Sequence, residues 1–132
     1  MNFARDIGPG NTNFARFQEI FAEMHAEGGN SFRLWLHTDG TSTPEFDSNG
    51  LVVSPGAGAI SDLKKILDLA WQNNVGLLLC LWSHDMMNTS KSSTVLDRNE
   101  KLLTDTSAIK AYINNALIPM VDSVKGHPAI IA

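Results

Sequence analysis

Leu77-Leu78-Leu79-Cys80-Leu81-Trp82 decides the fold. An unbroken apolar run of this length fits a strand covered on both faces, and such strands belong to parallel sheets flanked by helices. The run ends in Ser83-His84-Asp85. A second strand, Ser31 to Leu36, ends the same way, in Leu34-Trp35-Leu36-His37-Thr38-Asp39. Each end brings an aromatic ring, an imidazole and a carboxylate to the point where a buried strand surfaces into a loop. In parallel α/β folds that is the end where ligands bind.

Helical patterns surround the two runs. Phe14, Phe17, Ile20, Phe21 and Met24 follow helical spacing, with Asn11 or Thr12 as the cap and Gly28-Gly29 as the stop. Ile60, Leu63, Ile66, Leu67, Ala70 and Trp71 form a second stripe, closed by Asn73-Asn74. Ile109, Tyr112, Ile113, Ala116, Leu117, Met120, Val121 and Val124 form a third. Pro119 lies inside it and predicts a kink or a lost hydrogen bond to Asn115. Gly126 ends that helix, and Ala129 to Ala132 reads as a strand just beginning, while Asn2-Phe3-Ala4 reads as the tail of an earlier one.

The alternation implies a parallel sheet with right-handed crossovers. Helix-to-strand links are short, and the two strand-to-helix links, from His37 to about Gly58 and from Ser83 to about Thr104, read as long polar loops. Loops of that length in a compact domain are usually functional, and both lie at the carboxyl ends of strands, the working face of a (β/α) barrel. The chain is read as α/β, a single domain over residues 1–132, built as a partial (β/α)8 barrel of three to four βα units.

Composition narrows the partners. A hydrophobic share of 43% and a charged share of 18% are ordinary for a globular chain. The net charge of −4, with the 10 basic residues scattered, argues against nucleic acid and anionic membranes. No apolar run is long enough to span a bilayer, and Met1-Asn2-Phe3-Ala4-Arg5 does not open like a signal peptide. Cys80 is the sole cysteine and reads as a small core residue.

The strand ends carry the candidate chemistry. Side chains alternate along a strand, so Arg33, Trp35 and His37 share one face. An Arg turned inward needs a carboxylate, either a structural partner or a catalytic one. Trp35 and Trp82, read as equivalent positions, suit the apolar faces of sugar rings or plain core packing. His37 and His84 are candidate acid–base groups or substrate donors. Together with Asp39 and Asp85 they also offer a metal set, though no H-x-x-x-H or C-x-x-C spacing supports it. Gly8-Pro9-Gly10 and Gly56-Ala57-Gly58 lack the full dinucleotide pattern and read as turn glycines, so no cofactor is expected and a small flavodoxin-like binder is disfavoured. Met86 and Met87 read as lid or packing residues, and no G-x-S-x-G nucleophile motif is present.

These stretches resemble one family. Gly29-Asn30-Ser31-Phe32-Arg33-Leu34-Trp35 resembles the second strand of clan A glycoside hydrolases, with its Asn-x-x-Arg. Leu77 to His84 resembles their third strand, Lys125 to Ala132 the approach to their fourth, and Asn2 to Asp6 the end of their first. The likeness is greatest to β-mannanase and cellulase-like enzymes of the family 5-like retaining (β/α)8 group. It implies that Arg33 supports the nucleophile and His84 stands at the subsite of cleavage. Trp35, His37, Trp82 and Asp85, together with His84, then become substrate-binding positions. It also implies two glutamates, in an Asn-Glu-Pro motif after the fourth strand and at the end of the seventh, which lie past Ala132. A full barrel needs roughly 250 residues. The expectation is therefore an N-terminal half-barrel of an enzyme acting on β-1,4-linked mannan or cellulose, inactive alone. Open sheet edges make a homo-oligomeric scaffold with weak carbohydrate binding the alternative. The metal-dependent hydrolase using His37, His84, Asp39 and Asp85 is the less favoured one.

Overall fold

The computed structural model describes residues 12–132. The expected first-strand tail at residues 2–4, the Gly8-Pro9-Gly10 turn and the cap at Asn11 lie outside the described residues. Helix α1 spans Phe14–Ala26 and strand β1 Ser31–Thr38. A small hairpin follows, β2 (Glu45–Phe46) and β3 (Val52–Ser54), then α2 (Ala59–Gln72) and β4 (Gly76–Trp82). After a 3-10 turn at His84–Met87 come α3 (Ser93–Thr104), α4 (Thr106–Tyr112), a π-helical turn at Ile113–Leu117 and α5 (Ile118–Val124). The result is mixed α/β with parallel strands.

β1 and β4 pair in parallel, from Ser31 opposite Gly76 to Trp35 opposite Cys80. The chain end extends this sheet. Leu77 N–H donates to Ala129 O at 2.6 Å, and Ile131 N–H to Leu77 O at 2.9 Å, so residues 129–132 run beside β4 as the expected incipient strand. Helices α1, α2 and α5 pack on one face of this sheet. Phe17 and Phe21, Leu34 and Leu36, Leu63, Ile66 and Leu67, Leu77, Met120 and Val124 form the main core. Full burial of each such side chain is worth about 1.5–3 kcal/mol.

Local sequence explains the element ends. Asn13, not Asn11 or Thr12, caps α1 and accepts from Arg16 N–H at 3.0 Å. The Thr12 hydroxyl instead donates to Asp62 in the first turn of α2. Asn74, in the left-handed region at φ 55°, ends α2 as read from Asn73-Asn74.

Four expectations need correction. The segment from Ser83 to Thr104 is not an irregular loop, because it holds the 3-10 turn and α3. Its helical stripe, Val95, Leu96, Asn99 and Leu102, is interrupted by a polar residue at its most buried place. The link after β1 likewise contains the β2–β3 hairpin. The third stripe is not one α-helix: a π turn stands just before Pro119, which opens α5. A proline interrupts the ladder, and a π turn is one way to absorb the interruption. The turn also rotates the stripe, leaving Val121 49% exposed while Met120 and Val124 are buried. Trp71, expected in the second stripe, is 56% exposed.

A second, smaller core sits over the carboxyl ends of β1 and β4. Val52 of the hairpin, Leu102 of α3, Ala108 and Tyr112 of α4 and Ala116 are buried there, with Trp82 packed against them. This second core positions the candidate site.

Candidate functional site

The β1 end is sealed. His37 is 1% exposed. Its ring centroid lies 5.0 Å from that of Trp82 and 5.5 Å from that of Tyr112. The Thr43 hydroxyl gives its hydrogen to Leu36 O at 3.2 Å, so His37 Nδ1, 3.1 Å from the same oxygen, is the donor of that pair. The proton on Nδ1 leaves Nε2 as a bare acceptor, and among the described residues Nε2 has no hydrogen-bond partner. Burial pushes the His37 pKa down to about 3, so the ring is neutral at physiological pH. Burial also raises Tyr112 to about 12, against a smaller opposing effect from the Trp82 indole.

Asp39 is also 1% exposed and belongs to the scaffold. Burial alone would raise its pKa, but bonds from Lys91 and Thr41 outweigh that and hold the carboxyl below its usual range. Thr41 donates through its hydroxyl at 2.6 Å and its backbone N–H at 3.0 Å, and Lys91 Nζ forms an ion pair from the opposite side. Helix α3 closes over this loop. Arg98 donates to Gly40 O and stacks its guanidinium carbon 4.3 Å from the Phe46 ring centroid. Asn99, fully buried, donates from Nδ2 to Asp39 O at 2.8 Å and to Met86 O at 2.7 Å. Backbone geometry joins the clamp: Thr38 sits at φ 59°, costly for a β-branched residue, and its carbonyl accepts from Ser83 N–H at 2.9 Å.

The β4 end is open by contrast. Ser83 caps the 3-10 turn and accepts from Asp85 N–H at 3.0 Å. The His84 side chain is 94% exposed, and its Nε2 lies 3.6 Å from Asp85 Oδ1, whose side chain is 22% exposed. Met86 tucks inward while Met87 is 40% exposed.

The expected site residues are thus divided. Trp35 and Trp82 are not at equivalent positions: Trp35 pairs with Cys80, and Trp82 with Thr38 past a register shift. His37, read as facing a cleft, is covered by Thr43, Trp82 and Tyr112, groups that strand periodicity does not reveal. Arg33 is not a buried guanidinium. It is exposed and lies 4.8 Å over the Trp35 ring, on the face against which no described helix packs, with Cys80 half-buried alongside. The metal set does not assemble: Asp39 is tied to Lys91, His84 points to solvent, and among the described residues no group of three His, Cys, Asp or Glu side chains comes together. Lys91, Arg98 and Asn99 hold the site and were not singled out from sequence, and Tyr112 was read only as part of the third stripe. Ser92, which caps α3 by accepting from Val95 N–H, was the available signal.

Parallel strands, helices on one face and elaborated loops at the carboxyl ends define the class, an α/β chain with its candidate site on the C-terminal rim of the sheet. The particular likeness is to β-mannanases. No family model matches the chain. It is 36% identical over 98% of its length to a mannan endo-1,4-beta-mannosidase of Mytilus edulis, and 35% identical over 99% to one of Cryptopygus antarcticus. The crystal structure of an endo-1,4-beta-mannanase from Eisenia fetida superposes with a TM-score of 0.84 at 38% identity over 98% of the chain. The Cryptopygus β-1,4-D-mannanase structure gives 0.85 at 35% identity. The chain spans about a third of the curated relatives, 35% and 34% of their lengths, and 36% and 35% of the two solved chains. The resemblance read from the strand motifs therefore holds along nearly the whole chain, on its mannanase side.

Proposed function

We propose that this chain is the substrate-holding part of a retaining glycoside hydrolase for β-1,4-linked mannan, folded as part of a (β/α)8 barrel and without turnover of its own. The observation that carries the reading is the likeness to β-mannanases over 98% of the chain, in sequence and in fold. The β4 end supplies the contact groups. His84 and Asp85 offer polar contacts to sugar hydroxyls, Trp82 and Trp35 offer ring faces, and His37 seats Trp82 from beneath. Arg33 keeps the supporting role that the family resemblance gives it. Retaining hydrolysis needs two carboxylates roughly 5 Å apart on either side of the bond. Asp39 cannot serve as one, since it is buried and paired with Lys91. Purified protein with soluble mannan should release no reducing ends, while mannohexaose should bind with a Kd on the order of 1 mM. Turnover that is abolished by Asp85→Ala would overturn the inactive reading.

A second reading, self-association, is favoured by one feature. Leu79, Leu81, Leu117, Val121 and Ile130 line a groove of about 350 Å³ beside the strand at 129–132, and Ile131 is 58% exposed. Light scattering at micromolar concentration should then report a dimer or larger, and a monomer excludes it.

A further inference from the structure

We propose that Asn99 is the positioning residue that sets the spacing between the two strand-end loops, and through it the placement of Trp82, His84 and Asp85. The geometry is economical. One side-chain nitrogen, Asn99 Nδ2, donates both hydrogens to carbonyls of two different loops: Asp39 after β1 and Met86 after β4. Those acceptors lie 60 and 13 residues away in sequence. An amide that donates twice in a fork fixes the distance between its acceptors, because its two N–H vectors are rigidly related.

The position argues against a packing role. Asn99 is fully buried in the middle of α3, on the stripe that Leu102 continues, where a leucine would have better helix propensity and avoid burying an amide. The site is also shaped around the amide. A Cβ on Gly40 would come within 2.8 Å of Asn99 Oδ1 and 2.9 Å of the Trp82 ring, so the β1 loop is bare where it meets both groups. Backbone pairing alone joins the loops one residue deeper, at Thr38 O and Ser83 N. Beyond that point the Lys91–Asp39 ion pair and Asn99 join the loops, and it is Asn99 that reaches the turn carrying His84 and Asp85, through Met86.

The test has two independent parts. In the wild-type chain, NMR should detect couplings across hydrogen bonds from both Asn99 Nδ2 protons, one to the Asp39 carbonyl carbon and one to that of Met86. Absence of either overturns the clamp without any variant. In Asn99→Leu and the isosteric Asn99→Asp, amide exchange at Gly40, Thr41, Met86 and Asn88 should accelerate together, by about tenfold. Amides of β1 and β4 should stay within about twofold, since local opening leaves the main core intact. Acceleration in one loop only, or throughout the sheet, overturns the proposal. The functional arm rests on the substrate-holding reading above. Mannohexaose titration followed at the Trp82 indole should weaken several-fold in both variants. Unchanged affinity with loosened loops overturns the positioning role. A wild type with no response overturns the substrate-holding reading alone, and the clamp then stands or falls on the couplings and exchange.

Discussion

The two strand ends carry nearly the same residues and have opposite fates. His37 is 1% exposed and His84 has 94% of its side chain in solvent; Asp39 is 1% exposed and the Asp85 side chain 22%. The difference lies in what covers them. The β1 end is roofed by the loop before the hairpin, the turn before α3, and α4, which supply Thr43, Lys91 and Tyr112 as partners. The β4 end carries its own short turn, capped by Ser83 and held by α3 only through Met86 among the described residues, so that the His84 ring stands in solvent. A histidine and an aspartate at the carboxyl end of a strand are therefore no evidence of a ligand site until their partners are known. Here one end is a foundation and the other a surface.

The sharpest way to break this contrast is to remove the carboxylates in turn. Asp39→Ala leaves the Lys91 ammonium without its partner and frees the Thr41 donors. It should destabilise the fold by about 3 kcal/mol, at the low end for a broken buried pair because Lys91 keeps 20% exposure. Asp85→Ala should cost less than about 1 kcal/mol. Urea denaturation of both variants at pH 7 checks the ratio, and equal losses would erase the distinction between the ends.

Acid probes the same contrast through His37. Above pH 6.5 the ring is neutral in both folded and unfolded chains, and pH has no leverage on it. Below 6.5 the unfolded chain takes up a proton that the folded chain refuses down to about 3. Stability should fall across that window by over 1 kcal/mol per pH unit, or about 3 kcal/mol by pH 4.5. Asp39 acts lower: its depressed pKa stabilises the fold above the ordinary 3.8 and that contribution is lost only in stronger acid. In His37→Gln the limb between pH 6.5 and 4.5 should flatten, and in His84→Ala it should persist. Denaturation midpoints at the two pH values distinguish these outcomes.

Gly40 tests whether the roof over β1 is as tight as it looks. Its φ of 77° and the 2.8 Å approach to Asn99 oppose any side chain. Gly40→Ala should destabilise by about 2 kcal/mol, and the equivalent change at Gly126, where a Cβ meets nothing within 4 Å, by about 1 kcal/mol from backbone strain alone. Thermal unfolding of the pair separates crowding from strain.

How much of this was legible depended on the length scale of the signal. The parallel strands and α1 and α2 were legible because each has a strong apolar pattern, unbroken in Leu77 to Trp82. Helix α3 was hidden because Asn99 occupies the centre of its stripe, and a helix whose key buried residue is polar looks like loop. The π turn before Pro119 was half legible: the proline announced a broken ladder but not how the backbone would absorb it. At the site, residue types were readable and burial was not. Periodicity places Arg33, Trp35 and His37 on one face. Yet the register shift between Trp35 and Thr38 depends on β4, and the roof joins Thr43, six residues on from His37, with Tyr112, far along the chain.

The smallest expected stability effect is the most informative about function. Among the described residues His84 approaches Asp85 at 3.6 Å, beyond hydrogen-bond range, and 94% of its side chain faces water. Nothing in the fold depends on it, so His84→Ala should change stability by less than about 0.5 kcal/mol. An exposed ring at a strand end with no structural duty has its value in what binds there. Under the substrate-holding reading the same variant should weaken mannohexaose binding by about 1 kcal/mol, a several-fold loss, through one lost polar contact. Calorimetric titration beside thermal unfolding reads both quantities on one sample. A variant that loses neither stability nor affinity would make the β4 end mere surface and shift attention to the Arg33–Trp35 face.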